Sequence, residues 1–514
     1  MLRRLGVTAV LALLLAYADS APASAARLTI LHTNDTHGRL MPFRDPEERS
    51  GSEAPDSARV LGDIGGIARR ATLVRTIREQ CRRGGEAVLV IDAGDVCDGT
   101  AFSTEYHGDA DLAAMRAAGY DFLTLGNHDF SNTPEQVRSL VARGGPAGAP
   151  PRVLLANVLE RDGMPIATPY ALLALDSLRI GLFGLTTEAS AGYPAARRAF
   201  RVLPVATTAR AVSSALRDMG ADLVVLISHC GLETDRKLAG LAPALDVIVG
   251  GDSHSRLPEG EYFRPFEASP SDSDGTIILQ AHQWGRELGR LDLDLARDAA
   301  GRWRIVRHHA ELLPVNSATV PDARVTATVD SFWAPIAAKY GEVFGEATAD
   351  FGSRRRPDGT WDQANYHLVS DAIRETYGTQ VEMDNLGGVR APLLRGPVTF
   401  ADLVAMDPFD NTIVTYRLTG RDLKRILAEH APAVSGLTYR LEGGRLVEVK
   451  VGGRPVRDDA LYTGASTSYF APRGLKGIEC ADTGRRRIEV LREYVRSKKV
   501  ISPKYDGRRQ VRED

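Results

Sequence analysis

The feature that most constrains the fold is a series of short apolar runs, rich in Val, Ile and Leu, spread through the first two-thirds of the chain. They are RLTILH (27–32), EAVLVID (86–92), DFLTLG (121–126), RVLLAN (152–157), RIGLFGLT (179–186), DLVVLISH (222–229), LDVIVGG (245–251) and TIILQA (276–281). Each has the length of a strand, and their near-continuous apolarity predicts burial on both faces. Helical patterns separate several of them, including GGIARRATLVRTIREQ (65–80), DADLAAMRAAG (109–119) and TARAVSSALRDMG (208–220). Strands alternating with helices predict a layered α/β domain. The polar stretch at 45–58 is expected to be a surface loop. From about 315 to 352 the pattern turns helical, then extended, as a connection would. A second α/β unit follows, with helices at 366–378, 399–406 and 420–430 and strands leading into 384–390 and over 411–419.

A chain of 514 residues is too long for one ordinary domain and predicts two or three. The net charge of -2 gives no basic field of the kind nucleic acid requires, so no nucleic-acid partner is expected. The first residues carry two arginines, then an apolar run over 7–16, then Ala23-Ser24-Ala25. This reads as a secretory signal peptide over 1–25, too short for a membrane span. It predicts an exported protein, periplasmic or secreted, without stable membrane insertion. Four cysteines, Cys81, Cys97, Cys230 and Cys480, allow three full pairings in an oxidising compartment, and Cys97 and Cys230, which both flank candidate site residues, are expected to be close in space. The basic end from Lys498 to Asp514 is expected to be solvated. Oligomeric state is not readable.

Five of the apolar runs end in Asp, His or Asn. They deliver Asp35 and His37, Asp92 and Asp95, Asn127 with His128 and Asp129, His229, and Asp252 with His254. Ligands of α/β sheets bind beyond the carboxyl ends of strands. Mixed Asp, His and Asn donors without a thiolate set suit Zn, Mn and similar divalent ions. So many donors exceed one tetrahedral ion and suffice for two sharing a carboxylate. Such a pair clamps a phosphoryl group and activates a water for in-line attack.

LTILHTNDTHGRL (28–40) and YDFLTLGNHDF (120–130) resemble the two signatures of the 5'-nucleotidase family of calcineurin-like metallophosphoesterases, a resemblance that spans nearly the whole chain after the leader. It implies a four-layer αββα metallophosphoesterase domain over 27–335 and a C-terminal α/β substrate-binding domain over 345–514. It implies Asp35 and His37 on one ion, Asp95 bridging, and Asn127 and His229 on the second. Asp252 and His254 complete the ligand set. His128 and Asp129 are the expected catalytic residues, with metal-hydroxide attack on a nucleotide or related small-molecule phosphoester. Domain closure is expected to gate turnover. In the second domain, Asn385, Gly387, Gly388 and Arg390 are expected at the substrate phosphate. Phe409 and Phe470 match a pair of rings that clamp a base.

Three positions depart from the family pattern. Asp252 stands where the family has histidine. Ser131 stands where many nucleotidases carry an Asp partner for the catalytic His. Lys476 takes the place of an Asp that holds the ribose; a lysine cannot accept a hydrogen bond from a diol, and it is expected instead to bind substrate through a second phosphate or another anion. These departures keep other branches open: a 2',3'-cyclic phosphodiesterase, a UDP-sugar hydrolase or a sulfur-ester hydrolase. They also keep open a non-catalytic binding protein with a degenerate second metal site.

Overall fold

The computed structural model describes residues 25–46, 60–144, 150–175, 178–263 and 275–512. The expected leader up to residue 24, and residues 47–58 of the polar loop, lie outside the described residues. Two six-stranded sheets dominate the first half. In the first, Ala25–Thr33, Ala87–Asp92, Phe122–Leu123 and Arg152–Val153 run parallel. A long antiparallel hairpin, Glu287–Arg297 with Trp303–Pro314, extends it beyond Ala25–Thr33. In the second, Leu178–Thr186, Leu223–His229, Val247–Gly250 and Thr276–Leu279 run parallel, with antiparallel strands Tyr170–Leu175 and Glu261–Phe263 at the edges.

Period-two side-chain alternation explains how the sheets pack. Leu28, Ile30, Leu89 and Ile91 of the first sheet meet Leu182, Val225, Ile227 and Val249 of the second in one core between them. The opposite-facing Leu31 and Val90 pack under helices Ile67–Arg83 and Asp109–Ala118. Phe183, Val224 and Leu226 likewise pack under Val205–Asp218 and Leu232–Leu241. The result is four layers, αββα. The hairpin over 287–314 was not among the expected strands. Its first arm alternates buried and part-exposed residues, the pattern of an antiparallel strand open on one face, not of the buried parallel strands.

Helix Ala323–Trp333 and the short helix Ala337–Tyr340 lead into the second unit. There a five-stranded mixed sheet holds Val381–Asp384, Thr412–Thr419, Ala433–Ser435, Leu461–Thr467 and Cys480–Arg486. Helices Ala364–Tyr377, Phe400–Met406 and Arg487–Lys498 contribute to the core on one side of it. Helix Gly420–His430 lies on the other.

Two expectations are corrected. The basic tail is not a solvated end: Val500–Ile501 pairs with Val343–Ala347, and Arg509–Arg512 pairs with Leu437–Glu442. Alternation within the tail buries Ile501, and Arg508 is held by Asp371 and Asp506. The four cysteines are all free thiols, and Cys97 and Cys230 sit in different cores on opposite outer faces of the sheets. Among the described residues no helix is long and apolar enough to cross a membrane.

Candidate metal centre and substrate cleft

The expected ligands converge where parallel strands of the two sheets end. Asp35, His37 and His254 form one set of donors, and Asp35, Asp95 and His229 a second that shares Asp35. His254 Nε2 lies 3.4 Å from Asp35 Oδ1 and 3.3 Å from His37 Nε2. His229 Nε2 lies 3.2 Å from Asp95 Oδ2 and 3.8 Å from Asp252 Oδ1. Asp35, His37, Asp95, Asp252 and His254 all have φ between 48° and 74°, a sparsely populated region for residues with a Cβ. Strain of this kind gathers at functional sites.

The donor chemistry fits divalent cations. His229 Nδ1 donates to the carbonyl of Ala93 at 2.7 Å, so Nε2 carries the lone pair. That atom is buried and completes no hydrogen bond. His37 Nδ1 points at the carbonyls of Cys97 and Asp98, which leaves its Nε2 lone pair facing Nε2 of His254. Orienting a histidine through a backbone carbonyl is how metal ligands are commonly held. Asn127 Oδ1 is also buried without a partner. Lone pairs facing one another in a buried space are repulsive unless a cation lies among them.

The charge pattern agrees. Burial pushes the Asp95 carboxyl up, yet His229, His128 and His37 draw it well below the usual range. Burial lowers His229, but the charges of Asp95, Asp35 and Asp252 raise it well above an ordinary imidazole, so the three carboxylates call for a positive charge at Nε2, which a proton supplies until a divalent ion displaces it. Burial brings His37 down to about 3, so it is neutral, as a ligand must be.

Asp129 does not reach this cluster. Its carboxylate accepts from the backbone N–H groups of Asp95, Gly126 and Cys97 at 3.1, 2.8 and 3.0 Å. It ties the two ligand loops together and is fully buried, which corrects its expected catalytic role. Asp92 likewise holds a turn, accepting from Thr33 Oγ1 and Gly94 N. His128 stands at the start of a one-turn helix, His128–Ser131. Its ring lies edge-on to His37 and 6.1 Å from the ring of Phe409. Burial lowers its pKa, but Asp95 and the bond to Asp98 more than reverse this.

The second unit meets this end of the sheets where Phe409 approaches His128. Asn385 and Arg390 bracket the loop that follows Val381–Asp384. Within it Gly387 adopts φ 94° and its N–H donates to the Tyr366 hydroxyl at 2.7 Å. Gly388 is buried there, its carbonyl accepting from Arg487. The charge of Arg390 is near enough to oppose protonation of His37, His128 and Arg39, behind burial as the main cause at each. Phe470 departs from expectation. It is 4% exposed, packed in the core under helix Gly420–His430, with no face open to a base. The exposed ring is its neighbour Tyr469. Lys476 is exposed.

Sequence reasoning did not single out Asp98, Tyr193 or Arg39. Burial holds the Tyr193 hydroxyl well above the usual tyrosine range, and the charges of Asp98 and Asp95 add to this. Arg39 stacks over Trp284 at 4.1 Å, and burial beside Arg286 and Arg390 lowers its pKa to about 9. Cations crowded in this way make a wall suited to an anion. Arg39 and Asp98 carried a local signal, since the first lies in the same DTHGRL stretch as the first ligands and the second three residues after Asp95.

Residues 28–256 match the calcineurin-like phosphoesterase family, and residues 343–482 the 5'-nucleotidase C-terminal domain. A 5'-nucleotidase of Vibrio vulnificus is 27% identical, over 92% of this chain and 91% of its own length. The chain spans 34% of the length of a trifunctional nucleotide phosphoesterase protein of Bacillus subtilis, at 24% identity over 94% of this chain. It spans 40% of an endonuclease of the same species, at 25% identity over 93% of this chain. Among solved structures, a 5'-nucleotidase precursor from Thermus thermophilus matches with a TM-score of 0.77 and 27% identity, covering 95% of this chain and all of that one.

Proposed function

Because the chain belongs to the calcineurin-like phosphoesterases that carry a 5'-nucleotidase C-terminal domain, we propose that it is an exported hydrolase of nucleotides or related phosphoesters working with two divalent ions. In this reading the catalytic domain runs over 27–335 and the substrate domain over 345–514. Asp35, His37 and His254 would hold one ion and Asn127, His229 and Asp252 the other, with Asp95 between them. The observation that carries the reading is the pair of buried, unsatisfied donors, His229 Nε2 and Asn127 Oδ1, beside three carboxylates. Bound there, the ions would supply Lewis-acid polarisation of the phosphoryl group and activation of the attacking water.

The chain's own residues do the rest. Asn385 and the Arg390 fork bind phosphate oxygens. His128 holds a proton for the leaving oxygen. Phe409 offers a face to the substrate beside His128. Three carboxylates against two divalent ions leave one net positive charge, complementary to a phosphate anion. A second reading concerns the substrate. Lys476 offers no acceptor to a ribose diol but can pair with an anion, and Phe470 is closed off, which favours a phosphoester with a second anionic group over one recognised through its ribose and base.

The test is metal content of the purified protein together with phosphate release from 5'-AMP, UDP-glucose, 2',3'-cyclic AMP and bis-p-nitrophenyl phosphate. Two ions with release from 5'-AMP, abolished by Asp95→Asn, support the nucleotidase reading. Turnover of the other substrates alone moves it to another branch. One ion or none without turnover refutes the hydrolase and leaves a binding protein.

A further inference from the structure

We propose that Asp98 is the positioning residue of His128, doing from the metal-ligand loop what a carboxylate at position 131 would do from the histidine's own helix. The inference rests on the hydrolase reading above for its kinetic test, but not for its spectroscopic one. His128 Nδ1 and Asp98 Oδ2 are 2.8 Å apart. A carboxylate only accepts, so the imidazole donates from Nδ1. This fixes the tautomer and leaves Nε2 as the atom available to a phosphoryl oxygen. Both side chains are shielded, His128 at 13% and Asp98 at 9% exposure, so the pair is little screened by solvent.

The placement of Asp98 has two parts. It lies three residues after Asp95, in the turn Gly94–Gly99, and adopts φ 71°, a conformation aspartate tolerates better than most residues. Its backbone carbonyl accepts from His37 Nδ1 at 2.9 Å while its carboxylate takes His128. One residue therefore orients a candidate metal ligand through its main chain and the candidate catalytic histidine through its side chain. On the histidine's own helix no carboxylate offers an alternative from position 131. Residues i and i+3 eclipse in a 3₁₀ turn, so the side chain at 131 is aligned with His128, and that position is an exposed serine. A carboxylate there would approach the imidazole along the helix, whereas Asp98 approaches from the neighbouring loop.

The experiment uses the metal-loaded full chain in four forms: parent, Asp98→Asn, Asp98→Ala, and Asp98→Ala with Ser131→Asp. Turnover, bound metal and the far-downfield ring N–H proton of His128 are measured on each, the last by NMR with labelled histidine. With metal content held at two ions, Asp98→Ala lowers kcat about 100-fold with KM changed less than about threefold, in the range for a misdirected proton-transfer group. Asp98→Asn keeps an accepting oxygen and loses about tenfold. Ser131→Asp restores at least about tenfold of what Asp98→Ala lost, and the downfield proton, absent from Asp98→Ala, returns. A purely structural role would not be rescued from position 131. Unchanged kcat in Asp98→Ala, failure of the double variant to recover both readouts, or loss that follows departure of an ion would each overturn the proposal. If the parent binds two ions and shows the proton but releases no phosphate, the functional reading fails, and the proton's response to the variants still decides the pairing.

Discussion

Replacing Arg487 by methionine tests how the substrate loop is anchored. Arg487 is 1% exposed, a cation in the interior of the second unit. Its Nε donates to Asp407 Oδ2 at 2.9 Å, its Nη1 to Asp384 Oδ2 at 2.5 Å, and its Nη2 to the carbonyl of Gly388 at 2.7 Å and to Asp407 Oδ1. Asp384 ends the strand before the Asn385–Arg390 loop, and Asp407 opens the segment carrying Phe409. One guanidinium thus ties both substrate-facing loops to the start of helix Arg487–Lys498. Methionine fills most of the volume but leaves two buried carboxylates and a carbonyl without their donor. Removing one partner of a buried pair costs about 3–5 kcal/mol. Asp384 keeps Thr467 Oγ1 and the Asn385 N–H as donors, so Asp407 carries most of the loss and about 3–5 kcal/mol is expected, a large part of a typical domain's total. Urea unfolding of parent and variant measures it. The pH dependence gives a further check. Burial already raises the Asp407 pKa, with Arg487 opposing. Without Arg487 it rises further, so the folded variant takes up a proton that the unfolded chain does not. The deficit is therefore largest at neutral and alkaline pH and shrinks on acidification. A deficit below about 1 kcal/mol, or one that grows on acidification, would refute the account. KM should rise with little change in bound metal, because the loops loosened are those at the substrate.

Three further outcomes follow from the same geometry. In Gly126→Ala the new methyl would strike the Asp95 carboxylate and backbone N; displacing that side chain should lower turnover about 100-fold and reduce bound metal, whereas unchanged metal content would show that the loop absorbs it. Asp111 has both oxygens buried without a partner, and burial beside Asp129 pushes it up to about 8; stability should fall as pH rises from about 4 to 8 and then level, and Asp111→Asn should gain on the order of 3 kcal/mol at pH 9, read by thermal unfolding across pH. Asp252→His exchanges an oxygen donor for an imidazole beside His229, so competition dialysis should show the Zn-to-Mn preference rising about tenfold; an unchanged ratio would mean that Asp252 does not ligate.

The sequence by itself determined the layered α/β architecture and the strand ends from which the candidate ligands come. Buried parallel strands must be continuously apolar, so their ends are abrupt, and polar residues clustered just beyond several of them are conspicuous against any local background. It could not determine which polar residue does what. Asp129 stands beside His128 in the chain, yet its carboxylate turns inward to three backbone N–H groups. Asp98, thirty residues earlier, reaches the imidazole across two loops. Phe470 fits the place of a substrate ring and Tyr469 does not, but the core takes the first and leaves the second exposed. The charged tail carries the composition of a solvated end, and strand pairing with distant partners draws it into the fold. Periodicity is a local property and survives in one dimension. The direction of a side chain, the partner of a carboxylate and the docking of a terminal strand depend on contacts between segments far apart in sequence, and those exist only once the sheets have packed.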